Sequence, residues 1–265
     1  MGRFKIAFFD VDGTLLSFKT HAMPASTRRA LAELRGNGVL TVVASGRSFH
    51  ELPAELQSGF DAYITLNGQK CFCANGQNCY CGADVYRRAP IDPDDVRAVV
   101  GQVDQGLYDV GVQLEDRTFA SGSSPAVDAA SKVMNIAYAP DDIHIALGQP
   151  VYQFLLFAGE DIEQLLLKAA PHVLTSRWTD AFCDVGPVEG GKDYGVRATL
   201  ERFGLTKDEA IAFGDGENDL SMLSAVGTGV AMGNASDVVK AQAAYVTDDV
   251  DDDGLWNACR HFGLV

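Results

Sequence analysis

Short apolar strands alternate with amphipathic helices at both ends of this 265-residue sequence. Continuous apolar runs are typical of strands that are covered on both faces of a sheet. Three such runs are KIAFFD (5–10), VLTVVAS (39–45) and AYITLN (62–67). Between the first two, ASTRRALAELRGNG predicts a helix with Ser26 or Thr27 as its N-cap. Strand, helix, strand, helix, strand predicts a parallel sheet with right-handed crossovers.

The parallel pattern is interrupted in the middle of the chain and resumes at residue 188. From about 82 to 184 the hydrophobic pattern differs from that of the outer segments. It predicts a helix that begins at Pro93 and an alternation of strand, helix and strand over 151–178. The later runs EAIAFGD (209–215) and TGVAMG (228–233) return to buried strands followed by helices. We therefore predict one sheet domain, residues 1–81 and 185–265, with an α+β domain inserted at 82–184.

Polar side chains follow three of the predicted strands. They are Asp10, Asp12, Gly13 and Thr14, then Ser45, Gly46 and Arg47, and then Asp215, Asn218 and Asp219. In open parallel sheets, ligands bind outside the carboxyl ends of the strands. Four carboxylates that converge there repel each other unless a cation lies among them, and oxygen ligands of this kind suit Mg2+. The sequence therefore predicts a Mg2+ site at this edge.

The two aspartates in FFDVDGTLL can divide the work of phosphoryl transfer. Asp10 can ligate the metal and attack phosphorus, while Asp12 can protonate the leaving oxygen and later activate water. These tasks need different pKa values, which close neighbours and a cation can separate. Gly13 permits a tight turn after them.

Four motifs resemble, in order and spacing, those of the haloacid dehalogenase (HAD) phosphohydrolases, specifically the Cof-type branch with a type IIB cap. They are DVDGTLL, ASGR, the lysine in EGGKDYGV and GDGENDLSML. The resemblance covers both outer segments, and the insertion falls where that branch carries its cap. It implies a Rossmann-like α/β core with a parallel sheet and an inserted α+β cap of type C2B.

The resemblance also implies a role for each matched residue. Asp10 looks like the nucleophile that forms an aspartyl-phosphate, and Asp12 like the general acid and base, which gives its backbone carbonyl to Mg2+. Asp215 matches a second metal carboxylate, and Asp219 a support of the metal shell through water. Lys192 matches the lysine that neutralises the phosphate. The phosphate-binding set then comprises Thr14, Ser45, Gly46, Arg47, Lys192 and Asn218.

Ordinary structural roles are the alternatives for several of these residues. Asp219 and Ser45 are good helix caps, and Arg47 can form a plain surface ion pair. Lys192 can be a solvated lysine at a helix start, although that end of a helix disfavours a cation.

The predicted function is a Mg2+-dependent phosphomonoesterase for small phosphorylated metabolites, of which sugar phosphates are the class that the resemblance implies. The alternatives are a hexose phosphomutase of the same fold and a non-catalytic phosphometabolite sensor. A net charge of −15 opposes a nucleic-acid partner. No apolar stretch long enough for a membrane span and no secretory h-region are visible, which indicates the cytoplasm. A monomer and a homodimer both remain open.

Four cysteines surround a predicted hairpin turn at Gly76, in CFCANGQNCYC. If Cys71 faces Cys81 and Cys73 faces Cys79, all four side chains share one face of a two-stranded ribbon. The spacing leaves a zinc site, cross-strand disulfides and plain buried thiols open.

Overall fold

A computed structural model gives the structure of the protein and describes residues 3–74, 84–134 and 137–265. The chain divides into two compact units, one formed by Met1–Arg88 with Gly191–Val265 and the other by Ala89–Gly190. Among the described residues, no helix has both the length and the apolar character needed to cross a membrane.

Thirteen strands are described. In chain order they are β1 (Ile6–Phe9), β2 (Leu40–Ala44), β3 (Ala62–Thr65), β4 (Lys70–Cys73), β5 (Asp84–Arg88), β6 (Val110–Gln113), β7 (Thr118–Ala120), β8 (Gln153–Leu156), β9 (Val173–Thr179), β10 (Phe182–Pro187), β11 (Ala210–Gly214), β12 (Thr228–Ala231) and β13 (Tyr245–Val246).

Eight α-helices are described. They are α1 (Ala25–Gly36), α2 (Pro93–Asp104), α3 (Pro125–Met134), α4 (Glu160–Ala169), α5 (Lys192–Phe203), α6 (Leu220–Ala225), α7 (Asp237–Gln242) and α8 (Gly254–His261). Short 3-10 turns lie at Phe49–Glu51, Ala54–Leu56, Ile143–Gly148, Lys207–Glu209 and Glu217–Asp219.

The first unit is built on an eight-stranded sheet with the order β13-β12-β11-β1-β2-β3-β4-β5. The pairs from β13 to β3 are parallel, whereas β4 and β5 add an antiparallel edge. In β1, the side chains of Ile6 and Phe8 enter one apolar cluster, and those of Ala7 and Phe9 enter another on the opposite face. This two-sided burial explains the continuous apolar run, and the predicted fold class is confirmed.

The second unit contains a five-stranded antiparallel sheet with the order β7-β6-β8-β10-β9. Helices α2 and α4 pack on one face of it, where Val99 and Leu166 join Phe154 in one cluster. Helix α3 contributes Val127 to a second cluster, which contains Leu155. The unit begins a few residues after the predicted start at 82, because β5 pairs with β4 in the first sheet. It also ends a few residues after the predicted end at 184, because β10 pairs with β9 as far as Pro187.

The predicted N-cap of α1 is wrong. The helix begins at Ala25, after Pro24 in the capping position, and Thr27 is a buried residue of the helix itself. Ser26 and Thr27 therefore lie inside the first turn of the helix, where neither can be the N-cap, and Pro24 takes that position without a side-chain hydrogen bond.

The predicted pairing of the cysteines is also wrong for the members that the structure describes. Cys71 lies opposite Arg87 and Cys73 opposite Asp84, so β4 takes its partner from further along the chain. Cys79 and Cys81 lie outside the described residues. Cys71 is buried, its thiol donates to the carbonyl of Gly68, and burial raises its pKa to about 12. Cys71 therefore behaves as a plain buried thiol.

Candidate active site

Three parallel neighbours in the first sheet bring the predicted residues to one edge. Strands β11, β1 and β2 lie side by side and run in the same direction. Asp10 directly follows β1, Ser45 follows β2 and Asp215 follows β11. Because the carboxyl ends of parallel strands meet at one edge, residues that are far apart in sequence become neighbours there.

Lys192 lies at the centre of this edge, although it begins helix α5. Its side chain is fully buried, and Nζ donates to Asp10 Oδ1 at 2.5 Å and to Asp219 Oδ1 at 2.6 Å. The start of a helix disfavours a cation. Burial lowers the pKa of Lys192, but the carboxylates of Asp10 and Asp219 outweigh this effect and raise it, so the lysine stays charged. The solvated-lysine alternative is therefore excluded.

The carboxylates outnumber the cation that neutralises them. Asp10, Asp215 and Asp219 each offer an oxygen within 4.8 Å of the others, and all three are buried. Burial, followed by repulsion from Asp219, raises the pKa of Asp10 well above its usual value and that of Asp215 to about 7. A divalent cation would remove this repulsion, and an oxygen-only donor set suits Mg2+. The residues present therefore fit the predicted metal.

Asp219 organises the loop that carries Asp215. Its Oδ2 accepts hydrogen bonds from the backbone N–H groups of Asp215, at 3.0 Å, and Gly216, at 2.9 Å. Asp219 makes no side-chain cap of the following helix α6. The helix-cap alternative is thus wrong, because both oxygens are occupied by the loop and by Lys192.

Gly13 and Thr14, in the turn after β1, both contact the side chain of Asp215. Gly13 has φ +89°, and a Cβ at this position would lie 2.2 Å from Asp215 Oδ2. Thr14 is buried, and its hydroxyl donates to Asp215 Oδ1 at 3.2 Å. The turn after β1 therefore needs a glycine for both its backbone conformation and the space above it.

Arg47 and Asp12 form a bidentate ion pair, and both side chains are more exposed than the carboxylate cluster. Arg47 Nε donates to Asp12 Oδ2 at 2.7 Å, and Nη2 donates to Asp12 Oδ1 at 3.0 Å. The backbone N–H of Arg47 donates to the hydroxyl of buried Ser45 at 3.1 Å. The pair joins the predicted acid–base residue to the predicted phosphate loop, so Arg47 is more than an isolated surface charge.

Two predicted residues lie at the edge without joining the carboxylate cluster. Asn218 is exposed, and within the described parts of the chain its side chain makes no hydrogen bond to Asp10 or Asp215. Gly46 lies against the side chain of Asn67, whose Oδ1 would be 3.1 Å from a Cβ at Gly46. Their roles toward phosphate stay predictions.

Two asparagines at this edge were missed by the sequence analysis. Asn234 Nδ2 donates to the Gly13 carbonyl at 2.9 Å and to Asp215 Oδ2 at 3.1 Å, while its Oδ1 accepts from the Val250 N–H at 3.0 Å. The backbone of Asn67 bonds to both Ser45 and Gly191. Asn234 follows β12 and Asn67 follows β3, so the strand-end argument that found Asp10 also indicates both.

Known proteins resemble the chain over nearly its whole length. The model of the haloacid dehalogenase-like hydrolase family matches residues 7–259. YkrA of Bacillus subtilis (strain 168) is 35% identical over 263 residues, which are 98% of this chain and 98% of YkrA.

Solved structures give the same result. BT1666 of Bacteroides thetaiotaomicron, a phosphatase of the haloalkanoate (HAD) superfamily, is 31% identical with a TM-score of 0.89, and the match covers 99% of this chain and 96% of BT1666. The HAD subclass IIB sugar phosphatase BT4131 is 32% identical with a TM-score of 0.85, over 98% of this chain and 100% of BT4131.

Proposed function

This chain belongs to the haloacid dehalogenase-like hydrolases, as a Cof-type phosphatase, and from that premise we propose that it hydrolyses sugar phosphates and related small phosphomonoesters through an aspartyl-phosphate on Asp10, with Mg2+ as cofactor. The observation that carries the proposal is the buried cluster in which Lys192 joins Asp10 to Asp219. The sugar-phosphate class is supported by the subclass IIB neighbour, which is a sugar phosphatase.

Asp10 is the nucleophile in this proposal. Lys192 holds Oδ1, whereas Oδ2 accepts no hydrogen bond from any residue that the structure describes. Oδ2 attacks phosphorus, and the bond between phosphorus and the ester oxygen breaks. Water then attacks the same phosphorus, the bond to Asp10 breaks, and inorganic phosphate leaves. Lys192 stabilises the negative charge that is spread over the phosphoryl oxygens in both steps.

Asp12 carries the protons. It donates one to the leaving oxygen in the first half-reaction and takes one from the attacking water in the second. In the structure its carboxylate is held by Arg47 Nε and Nη2. Asp12 must leave this ion pair, at least in part, to reach the ester oxygen. Arg47 is then available to the phosphate, together with Thr14, Ser45, Gly46 and Asn218.

The carboxylates of Asp10 and Asp215 and the backbone carbonyl of Asp12 would hold Mg2+, with Asp219 as a support through water. When bound, the cation supplies a charge that draws the phosphate to the acidic edge and polarises its oxygens. Asn234 and Thr14 fix the orientation of Asp215.

The direct test is a phosphatase panel with sugar phosphates, pyridoxal phosphate, nucleotides and p-nitrophenyl phosphate, in Mg2+ and after treatment with EDTA. We expect phosphate release in Mg2+, loss of release in EDTA, and recovery when Mg2+ is restored. Undiminished hydrolysis without a divalent ion would contradict the cofactor. Isomeric product in place of free phosphate would indicate a phosphomutase, and tight binding without turnover would indicate a sensor.

Replacing Asn234 with Ala should weaken the affinity for Mg2+ by about ten- to a hundredfold, because Asp215 and the Gly13 turn each lose a hydrogen bond. The measurement is the Mg2+ concentration that gives half-maximal phosphatase rate. The matched control is Asn257→Ala, which removes an exposed hydrogen bond that the Asn257 side-chain amide donates to Asp248 in the same unit. An equal shift in both variants would show that Asn234 has no special role at the metal.

A further inference from the structure

The aromatic side chain of Phe18 lies close to the candidate active site but takes no part in the chemistry described so far. Phe18 is 57% exposed, although Leu15 and Leu16, just before it, are buried. Single exposed apolar residues are common on protein surfaces, so exposure alone does not indicate a function. The position of the ring does.

The edge of the Phe18 ring and the carboxylate of Asp215 both lie close to Gly13, on the side where a Cβ would be. A Cβ at Gly13 would lie 2.4 Å from Phe18 Cε2 and 2.2 Å from Asp215 Oδ2. Both atoms therefore flank the Gly13 backbone on one side. An exposed aromatic surface thus borders the buried oxygens of Asp215, where a phosphate ester would bind.

The backbone around Phe18 is held firmly in place. The Ser17 hydroxyl oxygen accepts hydrogen bonds from the backbone N–H groups of Lys19, at 3.0 Å, and Thr20, at 3.2 Å. The backbone of Ser17 pairs with Ala22 and His21, and Lys19 forms an ion pair with Asp251 at 2.9 Å. The loop therefore presents the ring outward in a defined position and does not let it fold back into the core.

We propose that Phe18 stacks on a flat apolar face of the leaving group and thereby selects phosphomonoesters of cyclic alcohols, such as a pyranose or an aromatic ring, over open-chain ones. This inference rests on the proposed phosphatase function. Aromatic rings pack favourably on the C–H face of a sugar ring and on other aromatic rings, whereas a flexible polyol offers no such face. Phe18 would thus determine specificity without taking part in the chemical steps.

Glucose 6-phosphate and glucitol 6-phosphate form the matched substrate pair, because they have the same carbon chain with and without a ring. Glycerol 3-phosphate, an open-chain ester, and p-nitrophenyl phosphate, an aromatic ester, extend the comparison. Phe18→Ala should lower kcat/KM by about three- to tenfold for the two cyclic substrates, mainly through KM. The acyclic substrates should change by less than about twofold. Phe18→Tyr should retain the wild-type preference.

The control variant is Val246→Ala, which trims another exposed apolar side chain of the same unit, on strand β13 at the edge of the sheet. It should leave kcat/KM unchanged for cyclic and acyclic substrates, and neither Phe18→Ala nor Val246→Ala should lower the melting temperature. Equal losses for cyclic and acyclic substrates in Phe18→Ala, or no loss in either, would overturn the inference. A wild-type protein that releases no phosphate from any ester would instead refute the proposed function.

Discussion

Replacing Asp10 with Asn should reduce phosphatase kcat by about a thousandfold or more while leaving the fold intact. The amide nitrogen cannot attack phosphorus as a carboxylate does, and the amide oxygen can still accept the hydrogen bond from Lys192. Lys192 keeps Asp219 as its counter-ion, and the repulsion between Asp10 and the other two carboxylates is removed, so a neutral side chain of the same shape should not lower the melting temperature. Steady-state kinetics with p-nitrophenyl phosphate and thermal unfolding measure the two effects.

The control uses a second carboxylate–lysine pair in the same unit. Glu209 pairs with Lys5 at 2.5 Å, next to the amino ends of β11 and β1. Glu209→Gln should leave kcat within about twofold of the wild type, because this pair lies at the opposite edge of the sheet from Asp10. Full turnover by Asp10→Asn would contradict the assignment of the nucleophile.

Replacing Lys192 with Met should have the next largest effect. The variant removes the buried cation that pairs with both Asp10 and Asp219, so their carboxylates and that of Asp215 repel each other without a counter-ion. Loss of one partner from a buried ion pair costs about 3 to 5 kcal/mol of stability. We also expect kcat to fall by about a hundred- to a thousandfold, since a charge aimed at the phosphoryl oxygens is lost.

Two further variants separate these effects. Lys5→Met removes an exposed lysine from the pair with Glu209 and should change neither stability nor kcat appreciably. Lys192→Arg keeps the charge but forces a larger planar group into a fully buried position, so it should rescue stability better than activity. A Lys192→Met protein with wild-type kcat would show that the cluster is only structural.

The residues that the sequence predicted best are those whose position follows from the parallel sheet. Asp10, Ser45 and Asp215 each follow a strand with a clear apolar run, and the three strands are neighbours. Lys192 is different, because it starts a helix and no periodicity indicates where its ammonium group points. Its placement came from the resemblance, and the structure adds the two carboxylates that hold it.

The features that sequence reasoning missed depend on contacts between distant segments. Strand β5 contains three arginine or aspartate residues among five, and only its pairing with β4 makes it a strand. The symmetric spacing of the cysteines around Gly76 predicted a tighter hairpin than the observed register of β4 and β5, since local symmetry does not determine which residues pair. Asn234 follows β12 and could have been considered by its position, but it has no charge and no motif of its own, and only the fold shows its three hydrogen bonds.

Chemical trapping of the acyl phosphate tests the central claim most directly. In Asp12→Ala, a substrate with a good leaving group such as p-nitrophenyl phosphate should still phosphorylate Asp10, while the attack of water is slowed. Acid quench followed by borohydride reduction converts an aspartyl-phosphate to homoserine, which peptide mass spectrometry locates. The account predicts homoserine at position 10, only when substrate and Mg2+ are both present. Homoserine at Asp215 or Asp219, or phosphate release with Asp10 unmodified throughout, would contradict it.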